Sequence, residues 1–189
     1  MTTFTHATLN VYADMVHEDI KKSLENNDFD RWKSLKITKR KPHTFRVFTE
    51  YPNAAGINIR VCLHKFERCG EHEPFWHPHP WPGSFLMLDG AYVHKIGYTP
   101  DLESGEPIQL CEELVRPYTM YSITNKQTWH CVQPLTTSYT IMINGEPWED
   151  SHSHTRTTKG KDLETMADDE LKVHLSIFDL LIRQYKENK

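Results

Sequence analysis

The chain has 189 residues, a formal net charge of −4 and 38% hydrophobic residues. That length suits one well-buried domain with helical appendages and is short for two. The acidic balance supplies no broad basic field for nucleic acid, and no apolar run is long enough to span a bilayer.

Five Trp, eight Tyr and eight Phe can build a core in a chain whose mean hydropathy is −0.65. Met1 to Leu9 lacks the charged start and apolar run of a signal peptide, so cytoplasm is the expected location, with no membrane partner. Cys62, Cys69, Cys111 and Cys131 form no CxxC pair and read as reduced thiols. The basic stretch Lys36 to Lys41 is short and reads as a solvated connection.

Leu9 to Asn26 places Leu9, Tyr12, Met15, Val16, Ile20 and Leu24 at helical spacing. Asn26-Asn27-Asp28 ends that helix, and Phe29 to Leu35 reads as a short second one. From Thr44 to Ile143 the pattern changes to β-branched and aromatic runs punctuated by Gly, Pro, Asn and Asp. Predicted strands are Thr44–Thr49, Gly56–Phe66, Phe75–His79, Ser84–Leu88, Tyr92–Tyr98, Tyr118–Ile123, His130–Gln133 and Tyr139–Ile143. Asp89-Gly90 predicts a tight hairpin between SFLML and AYVHKI. In the second strand Ile57, Ile59, Val61 and Leu63 share one face, and Asn58, Arg60, Cys62 and His64 the other.

Glu149 to Lys161 reads as a polar linker, and Asp162 to Lys189 as an amphipathic helical region with Leu171, Leu175, Phe178, Leu181, Ile182 and Tyr185 in one stripe. The expected division is an N-terminal helical extension (1–43), a β-barrel (44–148), and a linker with a C-terminal helix (149–189), all packed as one domain.

His77-Pro78-His79 carries the strongest chemical signal. In an extended segment residues i and i+2 point the same way, about 7 Å apart, so two imidazoles can converge on one ion. His130, on a later strand, would complete a three-nitrogen face with positions left open for water or substrate.

His77-x-His79, Gly90 eleven residues after the second histidine, and Trp129-His130 further on resemble the two-part motif of the cupin superfamily. The stretch HPHPWPGSFLMLDGAYV is similar to its first motif and RPYTMYSITNKQTWHCVQPLTTSYTIMI to its second, the likeness covering Gly56 to Trp148. The resemblance implies a mainly β, cupin-like antiparallel jelly-roll barrel, here with N- and C-terminal α-helical extensions. It also implies a divalent metal held by His77, His79 and His130, with Fe(II) favoured and Zn, Mn or Ni as alternatives. Cupin-like sheets often pair, so a homodimer is a further expectation. The family's fourth ligand, usually Glu, would fall at Gly83 or Ser84, where no carboxylate stands. A three-histidine centre of the thiol-dioxygenase kind tolerates that loss; so does a cupin without metal.

Glu73 shares strand parity with His77 and His79 and is a candidate replacement carboxylate, although Pro74 interrupts regular extension. His94 is placed either in the pocket or outside it. Tyr121 is a candidate proton donor; packing as a half-buried strand aromatic is its structural alternative. Arg60 and Arg116 could each bind a carboxylate or phosphate. Trp76, Trp81 and Trp129 flank the histidines as core aromatics or as walls for a substrate, Trp81 and Trp129 being the favoured substrate contacts. Cys62, His64, Cys69 and His72 form a weaker alternative zinc set, and His152-Ser153-His154 repeats the HxH pattern in the polar linker.

These residues lead to the expectation of a metal-dependent enzyme acting on a small polar or anionic molecule, most concretely a non-haem Fe(II) oxygenase. The alternative is a non-enzymatic ligand-binding, sensor or assembly protein on the same barrel.

Overall fold

The computed structural model describes residues 6–99, 107–148 and 163–189. Helix α1 (His6–Asn26) buries Leu9, Tyr12, Ala13, Val16 and Ile20; of the predicted stripe, Met15 is exposed. Asn27 adopts φ 50°, and the Asp28 N–H donates to Ser23 O at 3.0 Å, a left-handed cap that satisfies the last turn. Helix α2 (Asp168–Glu187) carries Asp168, Asp169 and Glu170 in its first turn, where they favour the positive end of the helix dipole.

The strands are β1 (Lys33–Ile37), β2 (Thr44–Pro52), β3 (Asn58–Phe66), β4 (His77–Pro78), β5 (Gly83–Asp89), β6 (Tyr92–Tyr98), β7 (Ile108–Val115), β8 (Met120–Ile123), β9 (Thr128–Pro134) and β10 (Ser138–Asn144). They form a six-stranded sheet in the order β1-β2-β3-β10-β5-β8 and a four-stranded sheet in the order β4-β9-β6-β7, with every named strand pair antiparallel. From β3 onward the chain crosses repeatedly between the sheets, leaving strands distant in sequence as neighbours in each. That is the jelly-roll order.

Three expectations need correction. Lys33–Ile37 is a strand, although Phe29 to Leu35 reads as a short helix: its residues pair with Thr44–Phe48 of β2, and tertiary pairing overrides a weak local preference. Ile108–Val115 is an edge strand absent from the predicted set, because all but its last residue are exposed and no buried stripe marks it. Asp89-Gly90 is not a hairpin. Strands β5 and β6 lie in different sheets, and the turn carries the chain across the sandwich. Gly90 has φ 87°, and a Cβ there would come 2.4 Å from Thr137 O, so the corner needs glycine for both its backbone and its space.

The alternation of β3 divides the interior in two. Ile59, Val61 and Leu63 join Val47, Leu86, Ile141 and Ile143 beneath both helices, where Leu9, Val16, Ile20, Leu175, Phe178 and Ile182 complete the main core. Cys62 and its neighbours Phe48, Phe85, Ile123 and Met142 face the other way, into the sandwich. The helices pack on each other, and Tyr185 Oη donates to Asn10 Oδ1 at 2.8 Å. Among the described residues no helix is long and apolar enough to cross a membrane. The linker Glu149 to Lys161, including His152 and His154, lies outside the described residues.

Candidate metal centre

His77 on β4 stands directly opposite His130 on β9, and His79 follows His77 at the same strand parity. All three rings meet. His79 Nε2 is 2.7 Å from His130 Nε2, and His77 Nε2 is 3.0 Å from the same atom. Among the described residues this is the one group of His, Cys, Asp and Glu whose ligand atoms cluster, all within 4.8 Å of one another.

Nitrogens bound at ordinary lengths to one ion lie about 2.9 to 3.4 Å apart for octahedral to tetrahedral angles. The measured separations are close to that range, so the donor set fits a divalent metal. Burial lowers the pKa of all three imidazoles, that of His77 to about 4. They are therefore neutral at pH 7, the form that coordinates. The Trp81 ring stacks on His79 at 4.2 Å between centroids and fixes its plane.

The triad opens into a cavity of about 490 Å³ between the two sheets. Phe66, Phe85, Val132 and Met142 supply apolar wall, while Arg46, His64, Tyr121 and Thr140 supply polar groups. Arg46 on β2 donates from Nε to His64 Nε2 at 2.7 Å, and among the described residues no carboxylate pairs with it. Because His64 accepts through Nε2, its proton sits on Nδ1; that nitrogen and Thr140 Oγ1 are buried without a partner among the described residues. Burial lowers the Arg46 and His64 pKa values, and the arginine's charge lowers that of His64 further.

Tyr121 also faces the cavity. Its hydroxyl lies 2.7 Å from Tyr92 Oη, and its ring stacks on Phe85 at 4.7 Å between centroids. Burial raises its pKa, so it stays protonated at neutral pH. His94, fully buried, places Nε2 3.0 Å from His130 Nδ1, behind the triad.

The structure does not bring Glu73 to the metal ligands. Its Oε2 accepts the Gly70 N–H at 2.5 Å, closing a turn. At Gly83, one of the two positions where the resemblance would put a carboxylate, a Cβ would press on Ile143 O at 3.1 Å, and at the other Ser84 Oγ is 2.6 Å from Ser122 Oγ. Arg60 does not line the cavity; it bonds Glu50 Oε1 through Nε and Nη2 and lies over the Phe48 ring. Trp129, next to His130 on β9, does not line the cavity. Arg46, Thr140 and Glu113 are polar residues that the sequence reading did not single out; the inward parity of Arg46 with Phe48 was an available signal.

The strand order and the convergent histidines define an antiparallel jelly roll with a three-histidine site able to hold a divalent metal. No family model and no curated protein matches the chain. Among solved structures it is similar to Fe(II)-HppE with the alternative substrate (S)-1-HPP, at 15% identity and a TM-score of 0.44, covering 61% of this chain and 56% of that one. Hydroxypropylphosphonic acid epoxidase from S. wedmorenis gives 15% identity, a TM-score of 0.43 and coverage of 61% and 56%. An RmlC-like cupin from Shewanella frigidimarina NCIMB 400 gives 9% identity, a TM-score of 0.43 and coverage of 64% and 88%. The matched part thus spans a little over half of the first two chains.

Proposed function

We propose that this protein is a metal-dependent enzyme acting on a small anionic molecule, in its most concrete form a non-haem Fe(II) oxygenase. The observation that carries the reading is the convergence of three neutral Nε2 atoms at the wall of a cavity that also holds a half-buried arginine without a carboxylate partner among the described residues. When bound, Fe(II) on three neutral imidazoles supplies a redox-active ion that keeps its full charge and has open positions for O₂ and substrate.

The protein's own groups prepare the substrate. Arg46 offers its remaining N–H groups to a carboxylate, phosphate or similar acid, which would offset its half-buried charge. His64 Nδ1–H and Thr140 Oγ1 supply further polar contacts at the same wall. Phe66, Phe85, Val132 and Met142 hold the apolar body of the ligand and exclude water. Tyr121 holds a proton at its phenolic oxygen, steadied by Tyr92, where a developing negative charge can use it.

The test is metal analysis of the purified protein, then anaerobic reconstitution with Fe(II) and measurement of O₂ consumption against a panel of carboxylic, phosphonic and thiol acids. The expected result is near-stoichiometric metal and uptake dependent on one acid class, both abolished in His130→Ala. Protein that neither retains nor takes up metal would overturn the reading. Metal binding without turnover on any acid would move it to a ligand-binding or sensor protein.

A further inference from the structure

The sheet register carries the triad one step further outward. On β6, His94 lies diagonally across from His130 of β9, whose direct partner is Ile96; on its other side His94 pairs directly with Glu113 of β7. The side chains follow that register. Glu113 Oε1 is 3.3 Å from His94 Nδ1, and His94 Nε2 is 3.0 Å from His130 Nδ1. The His94 side chain is fully buried, whereas that of Glu113 is 49% exposed.

The proton positions follow from the outer end. A carboxylate only accepts, so His94 donates through Nδ1–H. A neutral imidazole that donates through Nδ1 has its lone pair on Nε2, the atom 3.0 Å from His130 Nδ1. That lone pair accepts the His130 Nδ1–H. His130 is left with its own lone pair on Nε2, the atom facing His77 and His79.

We infer that Glu113 and His94 are positioning residues that select the coordinating tautomer of His130 and strengthen it as a metal ligand. The inference rests on the reading of the triad as a metal site. A carboxylate behind a metal-binding histidine fixes its ring and raises its basicity; here a second imidazole extends that effect from a half-exposed edge strand to the cavity wall. Nothing moves in the step except the choice of which nitrogen carries the proton.

The experiment uses the full chain, with Co(II) as the probe. Competition against a chelator gives its affinity, and ¹⁵N spectra of the metal-free protein report the His130 tautomer. The expected results are a single Nδ1–H form of His130 in the unsubstituted protein and a mixture in His94→Leu. That variant should lose about 10- to 100-fold in Co(II) affinity, with partial recovery in His94→Gln, whose amide oxygen accepts the same proton. Glu113→Gln should show a smaller loss in the same direction. Because residue 113 is half-exposed on an edge strand, that variant keeps the test available if Leu at position 94 disturbs the barrel. Unchanged affinity and an unchanged tautomer in both His94→Leu and Glu113→Gln would overturn the relay while leaving the metal site standing. Failure of the unsubstituted protein to bind Co(II) would remove the metal reading and the relay together.

Discussion

Arg46 donates through Nε to His64 Nε2 at 2.7 Å, so a half-buried guanidinium is held by a neutral imidazole and, among the described residues, by no carboxylate. The bond orients the arginine without neutralising it. Its charge lies close enough to the triad to lower the pKa values of His77 and His79 beyond the effect of burial.

This arrangement predicts opposite effects on binding and stability. Arg46→Met should weaken binding of an acid ligand by about 10- to 100-fold, the value of a charged hydrogen-bond pair. The same change should leave unfolding stability equal or higher, because it removes a half-buried charge that no carboxylate offsets among the described residues. Calorimetric titration and urea unfolding of the same samples check both signs; loss of stability with unchanged ligand affinity would refute the assignment.

Saturating Co(II) should raise the thermal midpoint. At about 100 times the dissociation constant the stabilisation is about 2.7 kcal/mol, or about 5 to 10 °C for a chain of this size. His130→Ala should abolish the shift, and a chelator should reverse it in the unsubstituted protein. Scanning calorimetry with and without metal makes the comparison.

Stability should fall as the solution is acidified below pH 6.5. Burial lowers the pKa of His174 to about 4, although its Nε2–H donates to Leu63 O at 3.2 Å and partly opposes the shift. Between pH 6.5 and 4 the unfolded chain therefore binds the proton that the folded one refuses. The stabilisation is fully present above pH 6.5 and is lost as pH falls toward 4. This one group accounts for about 1.5 kcal/mol between pH 6.5 and 5, and the buried His17 and His64 act in the same sense. Urea unfolding at the two pH values should show a smaller difference in His174→Gln.

Gly90→Ala should destabilise by about 1 to 3 kcal/mol or more, since it combines a strained positive φ with a backbone collision at Thr137 O. Phe178→Ala, in the fully buried layer between α2 and the sheet, should cost about 3 to 5 kcal/mol. Equilibrium unfolding of each variant checks these values.

The parts legible in the sequence were those with a local period. The α1 stripe follows from helical spacing, and the pairing of His77 with His79 on one side follows from strand parity. What could not be read depended on contacts far along the chain. Strand β1 exists because β2 pairs with it. Asp89-Gly90 carries the composition of a hairpin, but only the positions of β9 and β10 decide that it crosses between sheets. Glu113 stayed hidden because β7 has almost no buried residues to reveal its period, so nothing local placed that carboxylate behind His94.

The alternation along β3 has an evolutionary consequence. Val61 and Leu63 are committed to the helix-covered core, while Cys62 and His64 face the sandwich interior. The residues that hold the molecule together and those that would choose its ligand therefore occupy opposite sides of the same backbone. Ligand preference can then drift by inward-facing substitutions at positions such as Arg46, Thr140 and Met142 while the helix-facing layer stays intact, which makes this barrel a tolerant scaffold for new specificities.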